Sequence, residues 1–457
     1  MLKFKNKYTK RLLKVIPGGA HTYSRGADTF PSNAPPILEK GKGVYTYGIN
    51  GKKFLDYGMG LRSVNVGYAE ETINKAALEA IQKGNNLTRP SMIELEAAEL
   101  FVSIIKNADM VKFTKNGSTA VTAAVKLARA YTGKEIVLRC AQHPFFSYDD
   151  WFIGSTNIPK GVTSDSKKLT KLFNYNDIES LNNQIQKYKN KIACVILEPS
   201  STECPNIKGK NTNDCCGKFK CDRGFKSKNH FLKEVQKVCK KNNIVFILDE
   251  MITGFRWDLH GAQNYYNLQP DLSTFGKAMA NGFSVSAVCG KKEIMEIGSI
   301  TKKKAERVFL LSTTHGAEMS GLNAFMATVR FLKENSVIEK NWKYGNKLIE
   351  EANSISKDLN LMNYFNFSGI ACSPIFNCLN DKGVLDLKFR TLFIKEMLKN
   401  NILMPWVSLA YRHNVKELEL TLTAIKKTLK VYQKALEKGI DKFIQGDVIK
   451  PVFRRFN

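Results

Sequence analysis

The sequence predicts an α/β protein built on a mainly parallel sheet, and three observations predict it. Short apolar runs recur through the middle of the chain: MVKF (110–113), EIVLRC (135–140), IACVILEP (192–199), IVFILDE (244–250), VSAVCG (285–290) and RVFLLS (307–312). They are continuous rather than alternating, as strands covered on both faces are. Helical patterns such as TAVTAAVKLARAYTG (119–133) separate several of them, which is the texture of strand–helix–strand units. At 457 residues the chain has room for two packed domains and a sizeable buried site.

Taken in order, a basic amphipathic lead (Lys10 to Ile16) is broken by Pro17-Gly18-Gly19. VYTYGINGKKFLDY, Val44 to Tyr57, reads as a hairpin with Asn50-Gly51 as its turn, both residues tolerating positive φ. A 3.6-residue apolar rhythm from about Ile73 to Lys106 predicts helices, after which the α/β alternation begins. From about Ser320 the chain reads as one long helix (GLNAFMATVRFLKENSVIEKNWKYGNKLIEEANSI), a β-like segment through GIACSPIFNCL and two closing helices. The expected organisation is an N-terminal segment 1–75 packing with the small domain, a large α/β domain 76–319 and a smaller C-terminal α+β domain 320–457. Thr202 to Asn229, rich in Lys, Asn, Gly and Cys, reads as a surface insertion between a strand and the next helix.

Composition narrows the class. A hydrophobic content of 43% is that of a folded globular chain, not of a disordered one. No run approaches the roughly 18 apolar residues of a membrane helix, and the opening MLKFKNKYTKRLLKVIPGG has no apolar block followed by small residues, so a cytoplasmic protein without a membrane partner is expected. The net charge of +28 raises the question of nucleic acid. Lysines are spread along the chain, often beside asparagine, without an arginine-rich arm or aromatic ladder, so no nucleic-acid partner is expected. The ten cysteines are scattered, with Cys140, Cys194, Cys239, Cys289, Cys372 and Cys378 in apolar runs, and read as reduced, buried thiols rather than a disulfide framework. Cys204, Cys215, Cys216 and Cys221 of the insertion lack two C-x-x-C pairs, so no metal is expected, with structural zinc as the alternative.

Two segments carry chemistry. FILDEMITGFR (246–256) is an apolar strand ending in two carboxylates, and ligands of parallel sheets collect at strand carboxyl ends. A carboxylate there suits a metal, a base or a cationic ring, or simply caps a neighbouring helix. In PDLSTFGKAMANGF (270–283), Lys277 lies between Gly276 and a small-residue run. A desolvated amine has a lowered pKa and can form a Schiff base with an aldehyde cofactor, whereas a lone match of this kind fits a surface lysine at a helix start as well.

Together, at this spacing, the two segments resemble the class-III aminotransferases of the pyridoxal-phosphate (PLP) fold-type I superfamily. The resemblance implies a large domain with a mainly parallel, seven-stranded-type sheet, pyridoxal 5'-phosphate as cofactor, and a homodimer acting on a small amino or carbonyl substrate. It places Lys277 as the Schiff-base lysine and Asp249 against the pyridine nitrogen. KNGSTAVTAAVKLARAYTG (115–133) is similar to the segment whose helix N-terminus holds the phosphate, here with Gly117, Ser118 and Thr119. In AQHPFFSYDDWFIGST (141–156) the family places an aromatic on the ring face, with Phe145 the candidate, and Met251 matches the residue on the opposite face.

Within the family the resemblance is to the glutamate-1-semialdehyde 2,1-aminomutases. IPGGAHTYSRG (16–26) is similar to the segment whose arginine grips the substrate carboxylate; Arg25 matches that arginine, with Thr22 in place of a serine. Three features depart from that pattern. STTHGAEMSG (312–321) offers Met319 at the nearest gapless position to the partner-supplied phosphate threonine, with Thr313 and Thr314 upstream. MPWVSLAYRH (404–413) replaces a stretch with a substrate-neighbouring glutamate, and the 202–229 insertion has no counterpart. The reaction expected is therefore aminomutase-like amine exchange; the alternatives are intermolecular transfer to a keto-sugar or other acceptor, and a binding protein that kept the fold and lost the chemistry.

Overall fold

The computed structural model describes residues 6–201, 203–206, 229–444 and 446–456. Most of the 202–229 insertion, including Cys215, Cys216 and Cys221, lies outside the described residues. The chain divides into two compact units, one of Glu71–Ile338 and one joining Met1–Glu70 to Glu339–Asn457.

The unit Glu71–Ile338 holds a seven-stranded sheet of β1 (Met110–Thr114), β2 (Ile136–Cys140), β3 (Thr170–Phe173), β4 (Ile192–Leu197), β5 (Val245–Glu250), β6 (Leu272–Phe275) and β7 (Ser286–Gly290). Their order is β1-β7-β6-β5-β4-β2-β3; β7 runs antiparallel to both neighbours, and the other pairings are parallel. Every residue of β2, β4, β5, β6 and β7 is buried, the physical source of their continuous apolar sequence. Helix α1 (Gly117–Thr132) starts at the Asn116 cap, whose side chain accepts from Thr119 N, and ends at Gly133 in the left-handed region. It packs on β6 and β7 through an alanine- and valine-rich face.

Two local expectations needed correction, and one strand had no expectation. RVFLLS (307–312) forms no strand, and Phe309 is 75% exposed: apolar content makes a strand only where a partner strand supplies backbone hydrogen bonds. TKLF (170–173), which has no apolar run, is the edge strand β3, where one neighbour is missing and Leu172 is exposed. The long helix breaks into Met319–Glu334 and Val337–Asp358, because Asn335 turns its amide back onto Phe331 O at 3.1 Å and Ser336 takes φ 48°.

In the other unit the expected hairpin forms between Tyr45–Gly48 and Lys53–Asp56, with Gly51 alone of the turn pair at positive φ. Leu38–Lys42 and Ile402–Leu403 complete a four-stranded sheet. A core that includes Phe365, Phe376, Phe393 and Tyr432 fills the space between the ribbon Phe365–Ser368/Ile375–Cys378 and the helices Leu387–Lys399 and Val415–Lys438. The six apolar-run cysteines are buried thiols, as expected; Cys204 is disulfide-bonded, so the reduced reading does not extend to it.

After the hairpin, Met59, Gly60, Leu61 and Arg62 all adopt positive φ (41°, 57°, 62° and 68°), one left-handed turn. Such a conformation costs about 1–2 kcal/mol per non-glycine residue, so something must hold it. Buried Asp56 does: its Oδ1 accepts from Gly58 N at 2.6 Å and Met59 N at 3.3 Å, and its Oδ2 accepts from Tyr68, whose oxygen in turn accepts from Gly60 N at 2.7 Å. Asp56→Ala should therefore lower the unfolding free energy by about 2–4 kcal/mol. Denaturant titration checks this, and a loss under about 0.5 kcal/mol would assign the turn to other contacts.

Candidate active site

Because β4, β5 and β6 are parallel neighbours, and β1 points the same way across antiparallel β7, their carboxyl ends share one edge of the sheet. At that edge stand Glu198 after β4, Asp249 and Glu250 at the end of β5, Lys277 two residues past β6, and the N-terminus of α1 three residues past β1. A crevice at such an edge is where parallel sheets bind ligands.

Asp249 is 2% exposed and pairs in register with Thr274. Its Oδ1 accepts from Thr274 Oγ1 at 3.1 Å and Met251 N at 2.9 Å. Burial, seconded by the charge of Glu198, pushes its carboxyl up to about 7, against which Lys277 pulls down. The two motif residues thus feel each other's charge. Lys277 itself adopts φ 43° at the start of a short turn, Lys277–Ala280, whose next three residues are buried.

Neighbouring Glu250 points the other way, as alternation along a strand requires. Its carboxylate accepts from Ala262 N and Gln263 N, both at 2.7 Å, and from Thr253 Oγ1 at 2.8 Å. It anchors the loop after β5, the helix-capping role that the sequence left open for this acidic pair.

Met251 brings the three motifs into contact. A Cβ on Gly276 would lie 2.6 Å from Met251 Sδ, and one on Gly117 would lie 2.8 Å from the same atom. Only glycine at both positions lets the thioether sit between the Lys277 segment and α1. Ser118 and Thr119 stand in the first turn of α1, where backbone N–H groups lack intrahelical partners. Phe145 is 47% exposed, its ring edge-on to Phe152 at 5.7 Å.

Two residues were not singled out from the sequence. Glu198 is buried, and its backbone N–H donates to His143 Nδ1 at 3.1 Å, leaving the ring proton of this buried histidine on Nε2. Burial, with Arg139 nearby, pushes His143 down to about 3, so it is neutral. A carboxylate ending the run IACVILEP was the available signal for Glu198; nothing local marked its link to His143.

Arg25 and Thr22 belong to the other unit, Arg25 in the short turn Tyr23–Arg25 and Thr22 just before it; Arg25 is exposed and its N–H donates to Thr22 O at 2.9 Å. Of the candidates for the missing phosphate threonine, Met319 is buried with its N–H on Asn85 O at 2.8 Å, while Thr313 and Thr314 are exposed. Among the described residues no cluster of His, Cys, Asp or Glu could hold a metal, and no helix is long and apolar enough to cross a membrane.

The donor set fits PLP. A helix N-terminus receives a phosphate, an amine can hold an aldehyde, and a buried carboxyl with a raised pKa is the partner of a ring cation. Fold and site thus define a PLP-dependent α/β enzyme of fold type I. The chain matches the family model "Aminotransferase class-III" over residues 28–210 and 222–374, and it belongs to that family. It is 28% identical over 439 residues to a glutamate-1-semialdehyde 2,1-aminomutase of Francisella philomiragia subsp. philomiragia, covering 91% of this chain and 95% of that protein. Identity is also 28%, over 428 residues, to a 3-aminobutyryl-CoA aminotransferase of Cloacimonas acidaminovorans, with 93% and 96% covered. The fold matches that of the FumI protein of Sphingopyxis sp. MTA144 in its PLP internal aldimine form, at TM-score 0.80 and 23% identity over 94% of this chain and 96% of that one.

The raised carboxyl has a pH consequence for the cofactor-free protein. Since the folded value, about 7, lies above the ordinary 3.8, folding is favoured by the protonated form. That stability is complete below the unfolded value and is lost as pH rises through 7. Between about pH 5 and pH 8 the thermal midpoint of cofactor-free Asp249→Asn should fall less than that of the unsubstituted protein; equal falls would assign the titration to other groups.

Proposed function

We propose that this class-III enzyme exchanges an amino group within a carboxylate-bearing aldehyde, in the manner of a glutamate-1-semialdehyde 2,1-aminomutase. The observation that carries the reading is the placing of Asp249, Lys277 and the α1 N-terminus at one sheet edge, with the charge of Lys277 felt at Asp249. Bound PLP supplies an electron sink for the carbon that loses a proton. Lys277 would hold the cofactor and, once released, move a proton between substrate carbons at Nζ. Asp249 would keep the ring nitrogen protonated. Gly117, Ser118 and Thr119 would seat the phosphate, Phe145 and Met251 would flank the ring, and Arg25 with Thr22 would orient the substrate through its carboxylate.

A second reading keeps these roles but takes the amine from a separate donor, for an acceptor such as a keto-sugar. MPWVSLAYRH in place of the family's glutamate stretch favours it, as does equal identity to a named aminotransferase. In either case we expect a cytoplasmic homodimer. Leu78 and Ile81 on the helix Glu71–Gln82, and Met92 and Leu95 on Met92–Ile104, are exposed apolar residues with Leu87 between them, a surface suited to a second copy.

Borohydride treatment of the loaded protein should fix the cofactor on Lys277, detected by peptide mass. Lys277→Ala should lose about 10²–10⁴-fold in turnover. With glutamate-1-semialdehyde alone the enzyme should form 5-aminolevulinate. No product, together with spectral conversion by an added amino donor, would replace the first reading with the second.

A further inference from the structure

The loop that follows β2 is fastened to α1 by side chains to which no role has been given so far. Asp149 stands at the N-cap position of the short helix Asp150–Ile153, where an aspartate ordinarily accepts from the backbone N–H groups of the first turn. Here its side chain makes no cap bond. The carboxylate turns back towards α1, and Oδ2 accepts from the Thr122 hydroxyl and, at 3.1 Å, from the Ser147 hydroxyl. Thr122 in turn accepts from Trp151 Nε1 at 2.9 Å and lies 3.0 Å from Ser147 Oγ. Ser147, fully buried, accepts from Asp149 N at 3.1 Å.

The consequence falls on Ser118. Ser118 and Thr122 are four residues apart on α1 and so share one face of the helix. Tyr148, held between Ser147 and Asp149, donates its N–H to Ser118 Oγ at 3.2 Å. Because Ser118 Oγ is the acceptor in that bond, its own proton is left to donate elsewhere. A serine in the first turn of a helix with that polarity donates to an anion at the helix N-terminus.

We propose that Asp149 is a positioning residue for the phosphate seat: through Thr122 and Ser147 it holds the 147–149 segment against α1, and through Tyr148 N–H it orients the Ser118 hydroxyl towards the cofactor phosphate. The inference rests on the reading of the α1 N-terminus as the phosphate seat. Its signature is selectivity, because the network bears on the phosphate and not on the aldehyde end held by Lys277.

The test compares PLP with pyridoxal, which lacks the phosphate, by visible-absorbance titration of the full-length protein stripped of cofactor. Asp149→Ala and the isosteric Thr122→Val should each weaken PLP binding about tenfold, while capture of pyridoxal stays within about twofold of the unsubstituted protein and Thr122→Ser restores PLP binding. Thr122→Val keeps the test open should Asp149→Ala fail to fold. Equal weakening for PLP and pyridoxal, or no weakening of PLP, overturns the positioning role alone. An unsubstituted protein that binds pyridoxal as tightly as PLP overturns the phosphate seat, and this inference with it.

Discussion

A carboxyl group removed from water at the end of a buried strand resists ionisation until a cation meets it, and Asp249 is in that position. The requirement reaches far beyond the residue. It demands that β5 and β6 lie in parallel register, so that the chain leaving β6 brings Lys277 to the same edge. In the role proposed for Asp249, a positive ring nitrogen would complete what Lys277 begins. The fold can be understood as the scaffold that makes this one electrostatic arrangement stable: five strands buried along their whole length, with the charges gathered where the three parallel strands β4, β5 and β6 end.

Close approach is the second constraint. Met251 reaches between α1 and the Lys277 segment only because Gly117 and Gly276 present no Cβ to its sulfur. Gly276 has extended backbone, so its use is space rather than conformational freedom. Glu250 shows the same economy in its polar contacts. One buried carboxylate accepts from two backbone N–H groups and a hydroxyl, which ties the loop after β5 to the turn of helix at Ala262. The strand end can then be charged on one face and structurally satisfied on the other.

What was legible in the sequence depended on how local the signal was. Lys277 and Asp249 could be picked out because each follows an apolar run by a fixed step, and a strand end is a local feature. β3 was not legible, since an edge strand exposed on one side carries no apolar run, and RVFLLS misled for the converse reason: hydrophobicity marks a strand only where a neighbour supplies hydrogen bonds. The break at Asn335-Ser336 went unseen because neither residue is a strong helix breaker; an amide folding back on Phe331 O and one positive φ suffice. Glu198 with His143 is a contact across 55 residues, and Asp149 with Thr122 one across 27, and no spacing rule reports such pairs.

By itself the sequence determined the α/β class and the helix that opens around Gly117–Thr119, and it singled out the amine and carboxylate proposed to carry the chemistry, because apolar periodicity, small polar helix starts and strand-end charge are properties of neighbouring residues. The tertiary structure alone decided which of the two acidic residues at the end of β5 feels the charge of Lys277 and which anchors a loop, that Met251 joins three segments, and that the loop at Asp149 is bound to α1. Those outcomes depend on strand register and on side chains distant in the chain meeting in a buried space, where the loss of water makes each hydrogen bond and charge count for more than it does along the open chain.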